Sequence, residues 1–104
     1  RHAMEEIKEC TGTDYKTVYR VVGGTQSALI CQFTANECGC RVSAGPIEAT
    51  VLGNIALQLM ASGDIKSIEE AREIIKRSQD IKIYEPQDKE AWDEAYERFK
   101  KILV

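Results

Sequence analysis

Apolar positions along the chain follow two periods, and the places where one gives way to the other divide it into helices and strands. Residues 3–11 carry Met4 and Ile7 at helical spacing, which predicts an inward helical face, with Gly12 as the left-handed stop. Residues 16–22 are rich in β-branched and aromatic side chains and predict a strand. Leu29, Ile30 and Phe33 then return to helical spacing across residues 28–38, with Thr25 or Ser27 available as the cap. Residues 40–44 form a short apolar run ending in Gly45-Pro46, the pattern of a second, buried strand. Val51, Leu52, Ile55, Ala56, Leu59 and Met60 mark the next helix, stopped by Gly63. Gly53 in its interior costs up to about 1 kcal/mol against alanine, so it is expected to mark a close helix contact.

The remaining chain reads as helix, short strand, helix. Ser67-Ile68-Glu69-Glu70 is a capping box that opens a helix carried inward by Ile68, Ala71, Ile74 and Ile75. Residues 81–84 suit an extended segment closed by Pro86. From about Asp88 a last helix is expected to bury Trp92, Ala95, Tyr96, Phe99, Ile102 and Leu103, with Glu94, Arg98 and Lys101 on its solvated face. Strand–helix–strand alternation predicts an α/β fold with a right-handed crossover if the strands are parallel. Two or three strands make a poor sheet alone, and they read as the edge of a larger sheet whose other strands lie upstream. The opening Arg1-His2-Ala3-Met4 already has a helical pattern and fits a piece cut from a longer polypeptide, a tag scar being the alternative.

At 104 residues, 43% hydrophobic and 30% charged, the chain is one small globular domain at most. A net charge of −3 gives no electrostatic footprint for nucleic acid or a membrane surface. No apolar run approaches the roughly 18 residues of a bilayer span. Cys31 and Cys38 fall seven apart on one helix face, and Cys38-Gly39-Cys40 lacks the paired knuckles of a zinc site. The four cysteines are therefore expected to be buried and reduced, as in a cytoplasmic protein, with no metal ligand among them.

Two segments are candidates for chemistry. Val21-Val22-Gly23-Gly24-Thr25-Gln26-Ser27 runs from a strand through a glycine pair into a helix, where backbone can approach a ligand and helix N–H groups favour an anion. This suits a nucleotide, with Thr25, Gln26 and Ser27 as hydrogen-bonding side chains; a tight turn whose polar residues cap the helix remains the other reading. The segment is neither a P-loop nor G-x-G-x-x-G. Gly45-Pro46-Ile47-Glu48-Ala49-Thr50 places Glu48 and Thr50 beyond a strand end, where ligands gather in open α/β sheets, yet helix capping accounts for an acidic residue there. Asp14, Asp64, Asp80 and Asp88 sit in turn or cap contexts, so no general base and no catalytic residue is assigned.

Residues 21–60 resemble the C-terminal domain of the FGGY carbohydrate kinases. The resemblance is carried by Gly-Gly-x-Gln before a helix, Cys-Gln-Phe-Thr-Ala-Asn within it, and Ala-Gly-Pro-Ile-Glu-Ala-Thr-Val-Leu-Gly-Asn after the second strand. Tyr84-Glu85-Pro86 and the helix bearing Trp92, Tyr96 and Phe99 resemble the family's chain end. The resemblance implies that residues 1–104 are a helix-rich, truncated portion of an actin-like ATPase (ribonuclease H-like) domain. It implies a parent that uses ATP and Mg²⁺ to phosphorylate a keto-sugar such as L-rhamnulose, fuculose and xylulose kinases sharing the architecture. Gly23, Gly24, Thr25, Gln26 and Ser27 would form its adenosine-binding motif. The catalytic aspartate and main sugar contacts would belong to a missing upstream domain, leaving the fragment inactive alone. The family motif has three glycines followed by Ser-Gln-Asn; Val22 stands at the first glycine and Ser27 at the asparagine. A stand-alone helical module that binds a protein partner, its glycine turn purely structural, is the competing reading.

Overall fold

Thr17, Val18 and Tyr19 favour the pleated backbone, and the strand they form is the first of three. The computed structural model describes residues 1–21, 23 and 26–103. Along these run α1 (His2–Thr11), β1 (Thr17–Arg20), α2 (Ala28–Cys38), β2 (Arg41–Ala44), α3 (Ala49–Ser62), α4 (Ile68–Ser78), β3 (Lys82–Tyr84) and α5 (Lys89–Lys100). The strands lie in the order β1-β2-β3. β1 and β2 are parallel, with Thr17 opposite Arg41 and Arg20 opposite Ala44, and α2 is their crossover. β3 returns antiparallel, with Val42 opposite Tyr84 and Ala44 opposite Lys82. The architecture is mixed α/β, as the alternation predicts.

Helix ends follow local chemistry. The Ser27 hydroxyl oxygen accepts from the Ile30 N–H at 3.3 Å, so Ser27 caps α2. Gly12, Gly39 and Gly63 close α1, α2 and α3 in the left-handed region. Ser67 accepts from the Glu70 N–H at 3.1 Å, while the Glu70 carboxylate reaches one residue further back than a regular capping box, to the Lys66 N–H at 2.9 Å.

Two small cores result. In the first, Cys31 and Ala35 of α2 press on Val42 and Ala44 of β2, flanked by Val18 and Tyr84. Val42 and Ala44 share a face of β2 because strand side chains alternate. Phe33 meets Trp92 with ring centroids 5.2 Å apart, which lays α5 beside α2. In the second core Ala56 of α3 packs on Ile65 and Ala71, with Met60 and Ile75 at its margin.

The apolar periodicity placed the helices correctly, but several inward faces are open. α1 buries none of its residues, and Ile7 is exposed. On α2 the buried residues are Cys31, Ala35 and Asn36, whereas Leu29, Ile30 and Phe33 are exposed. Val51, Ile55 and Leu59 of α3 are exposed, as are Ile68 and Ile74 of α4. α5 buries Tyr96 and ends at Lys100, so Ile102 lies beyond it and is 74% exposed; Phe99 and Leu103 are exposed too. Among the described residues nothing lies within 4 Å of where a Gly53 Cβ would sit, so the expected close contact is not made there. Of the cysteines, Cys31 and Cys40 are buried, Cys38 is half-buried and Cys10 is exposed, contrary to a uniformly buried set.

Candidate functional site

The parallel pairing of β1 and β2 brings both sequence candidates to one edge of the sheet. β1 ends at Arg20 and β2 at Ala44, and the next N–H, that of Gly45, donates to the Arg20 carbonyl at 2.8 Å. Val21 and Gly45, which follow the two strands, therefore leave the same carboxyl edge, and α2 and α3 are the next helices in the chain. That edge is where ligands of open α/β sheets bind.

The glycines on this edge differ in a way the sequence does not disclose. Gly45 has φ 122°, and a Cβ there would meet the Asp80 carbonyl oxygen at 3.4 Å and Ile81 Cγ1 at 3.5 Å. Its lack of a side chain is explained by the chain itself. Gly23 is exposed and lies outside the left-handed region, and among the described residues nothing approaches its absent Cβ within 4 Å. The described backbone gives no reason for glycine at 23.

Of the other residues proposed for this turn, Gln26 is exposed and Ser27 half-buried. Ser27 already accepts from Ile30 N–H, which leaves its O–H to donate elsewhere. Gly24 and Thr25, with Val22, lie outside the described residues. Glu48 stands at the cap position of α3, but its side chain makes no capping hydrogen bond, so the capping expected of it is absent. Thr50 is exposed in the first turn of α3.

Another concavity lies elsewhere. A cavity of about 260 Å³ is lined by Arg1, Glu5, Lys8, Asp14, Cys38 and Asp93, among others, at the opposite end of α2. Most of its charges are paired: Arg1 with Asp93 at 2.6 Å and Glu5 at 3.2 Å, and Lys8 with Asp14 at 3.5 Å. Burial, and next the neighbouring Cys38, push the Cys40 thiol up, so it is not an activated nucleophile. This region joins α1 to α5 through Tyr96, which is 2% exposed. The Tyr96 hydroxyl donates to Glu5 at 2.6 Å and the Arg1 guanidinium lies 4.2 Å from its ring centroid. The hydrogen bond to Glu5 is the main reason the Tyr96 hydroxyl is pushed up to about 12 and the Glu5 carboxyl held below its ordinary value.

A second polar tie was not legible either. The Asn36 side-chain oxygen accepts from Gln32 Nε2 and from the Gln87 N–H, both at 2.8 Å, and Gln32 also donates to the Glu85 carbonyl. Sequence placed Asn36 in a helix; its partner fifty residues on carries no local signal. Among the described residues no three His, Cys, Asp or Glu side chains gather to hold a metal ion, and no helix is long and apolar enough to cross a membrane.

Comparison with known proteins gives two findings. The C-terminal domain of the FGGY family of carbohydrate kinases matches residues 1–62. Over 103 residues the chain is 40% identical to a protein named Rhamnulokinase from Bacteroides thetaiotaomicron, an alignment covering 99% of this chain and 21% of that protein. The chain thus spans about a fifth of the length of this curated relative.

Proposed function

We propose that this chain, which belongs to the FGGY family of carbohydrate kinases, supplies the adenosine-facing side of an ATP cleft in a sugar kinase. The observation that carries the reading is Gly23: a glycine at the carboxyl edge of the parallel strands whose missing side chain the described backbone does not require. Gly23, Gly24, Thr25, Gln26 and Ser27 form the proposed contact. Here the backbone comes close to the nucleotide at the glycines, and Gln26 and the Ser27 O–H offer hydrogen bonds to the ribose or base. Residues 1–104 are then part of one truncated nucleotide-binding domain of actin-like ATPase (ribonuclease H-like) architecture.

The proposed parent transfers the γ-phosphoryl group of ATP to a hydroxyl of a keto-sugar, L-rhamnulose first, as the name of the 40% identical relative suggests. Phosphoryl transfer depends on positioning and on charge stabilisation drawn from several segments at once. Mg²⁺ would supply charge neutralisation on the phosphates. The described residues do not fit it, because no acidic cluster converges, and the aspartate that takes the sugar proton is likewise assigned to segments outside this chain. Cytoplasmic location follows from the substrates proposed.

The polypeptide read in frame around these residues, assayed with ATP against L-rhamnulose, L-fuculose and D-xylulose, is expected to release ADP with rhamnulose preferred. The 104 residues alone are expected to release none. Turnover by the isolated chain, or no turnover of any ketose by the longer polypeptide, contradicts the proposal.

A further inference from the structure

Helix α3 carries no charged residue in fourteen positions, although 30% of the chain is charged. Its polar residues are uncharged: at about 100° per residue Thr50, Asn54, Gln58 and Ser62 lie on the side turned away from Ala56, and the flanks between are apolar. Yet Ala56 is the residue that α3 buries. At about 100° per residue, Leu52, Ala56 and Met60 form one stripe, of which Ala56 and Met60 join the second core. Val51, Ile55 and Leu59 form an adjoining stripe, and Leu57 stands on the far side of the core contact; Val51, Ile55 and Leu57 are 53%, 49% and 62% exposed. Gly53 weakens the helix while its Cβ would point into open space among the described residues.

We propose that the two exposed apolar flanks of α3, Val51, Ile55 and Leu59 on one side and Leu57 on the other, are interior surface packed against the upstream remainder of the same polypeptide, with Gly53 admitting a close neighbour. The inference rests on the reading of the chain as part of a longer kinase. Three observations select that occupant over a second copy or a transient protein partner. The curated relative extends far beyond the matched segment, which is 21% of it. The chain exposes 7647 Å², about 1,800 Å² more than a folded monomer of its mass; a standard dimer interface covers roughly 800 Å² per partner. Finally, apolar positions flank the α4 contact on both sides, and a single two-fold partner helix covers one of them.

The test compares solvent access at α3 in the 104-residue chain and in the longer polypeptide. Ile55→Cys and Leu57→Cys are expected to react with a maleimide at least tenfold more slowly in the longer polypeptide, while Glu94→Cys on exposed α5 reacts alike in both. Amide exchange of α3 in the unsubstituted proteins gives the same comparison without a mutation. Gly53→Ala is expected to raise the melting midpoint of the short chain and lower that of the longer one. Equal labelling and exchange in both proteins overturns the proposal, as does protection of Ile55→Cys in the short chain through dimerisation. Kinase turnover measured on the same samples separates the claims: an active longer polypeptide with α3 open sinks the buried face alone, and an inactive one with α3 protected sinks the kinase reading alone.

Discussion

The Asn36 side-chain oxygen accepts from Gln32 and from the Gln87 N–H, tying α2 to the segment after β3. Asn36→Leu removes that acceptor from a side chain that is 8% exposed, while the Gln87 N–H it served belongs to an exposed residue. We expect a loss of about 1 kcal/mol, the net worth of the lost hydrogen bonds, read from urea unfolding with an unchanged slope. Val42, fully buried at the centre of the first core, is expected to cost about 2 kcal/mol as Val42→Ala, from lost burial plus the cavity left behind. The Tyr96–Glu5 hydrogen bond gives the residue scale its pH dependence. Glu5 titrates below its unfolded value, so its contribution is present above the ordinary carboxylate range and fades as pH falls through the lowered folded value. Tyr96 titrates at about 12, so its contribution is complete below the ordinary tyrosine value near 10 and fades as pH rises towards 12. Tyr96→Phe should flatten both limbs of a melting-midpoint profile; an unchanged profile would show that α1 docks on α5 by other means.

At the scale of elements, caps were legible and faces were not. Gly12, Gly63 and Ser67 each act within four residues of themselves, so local chemistry suffices to place them. Ser67→Ala should cost about 1 kcal/mol, since it leaves the Glu70 N–H without its acceptor. The faces of α2, α3 and α5 depend on what lies opposite, which periodicity does not encode. Leu29, Ile30 and Phe33 keep perfect helical spacing, yet Cys31 and Ala35 take the sheet because small side chains let α2 approach Val42 and Ala44 closely. The two candidate turns were visible in sequence as glycine-containing strand ends. Their meeting on one edge was not visible, because it depends on β1 and β2 being parallel. Nor does sequence distinguish Gly45, which its own neighbours require, from Gly23, which they do not.

As a whole the molecule is long and open, 54 × 30 × 20 Å with a radius of gyration of 16.9 Å. A compact chain of about 100 residues has a radius near 13 Å. The two cores are separate, and the apolar surface between and around them is what a kinase domain would supply with neighbours. The nucleotide is proposed to sit at the carboxyl edge of β1 and β2. The most direct measurement is the ATP dependence of ketose phosphorylation by the longer polypeptide carrying Gly23→Val. The described backbone leaves room for that side chain, so folding should be preserved. A nucleotide packed against Gly23 predicts a KM for ATP raised at least about tenfold, equivalent to about 1.4 kcal/mol, with the KM for the sugar unchanged. An unaltered KM for ATP in a folded, active variant would contradict the assignment.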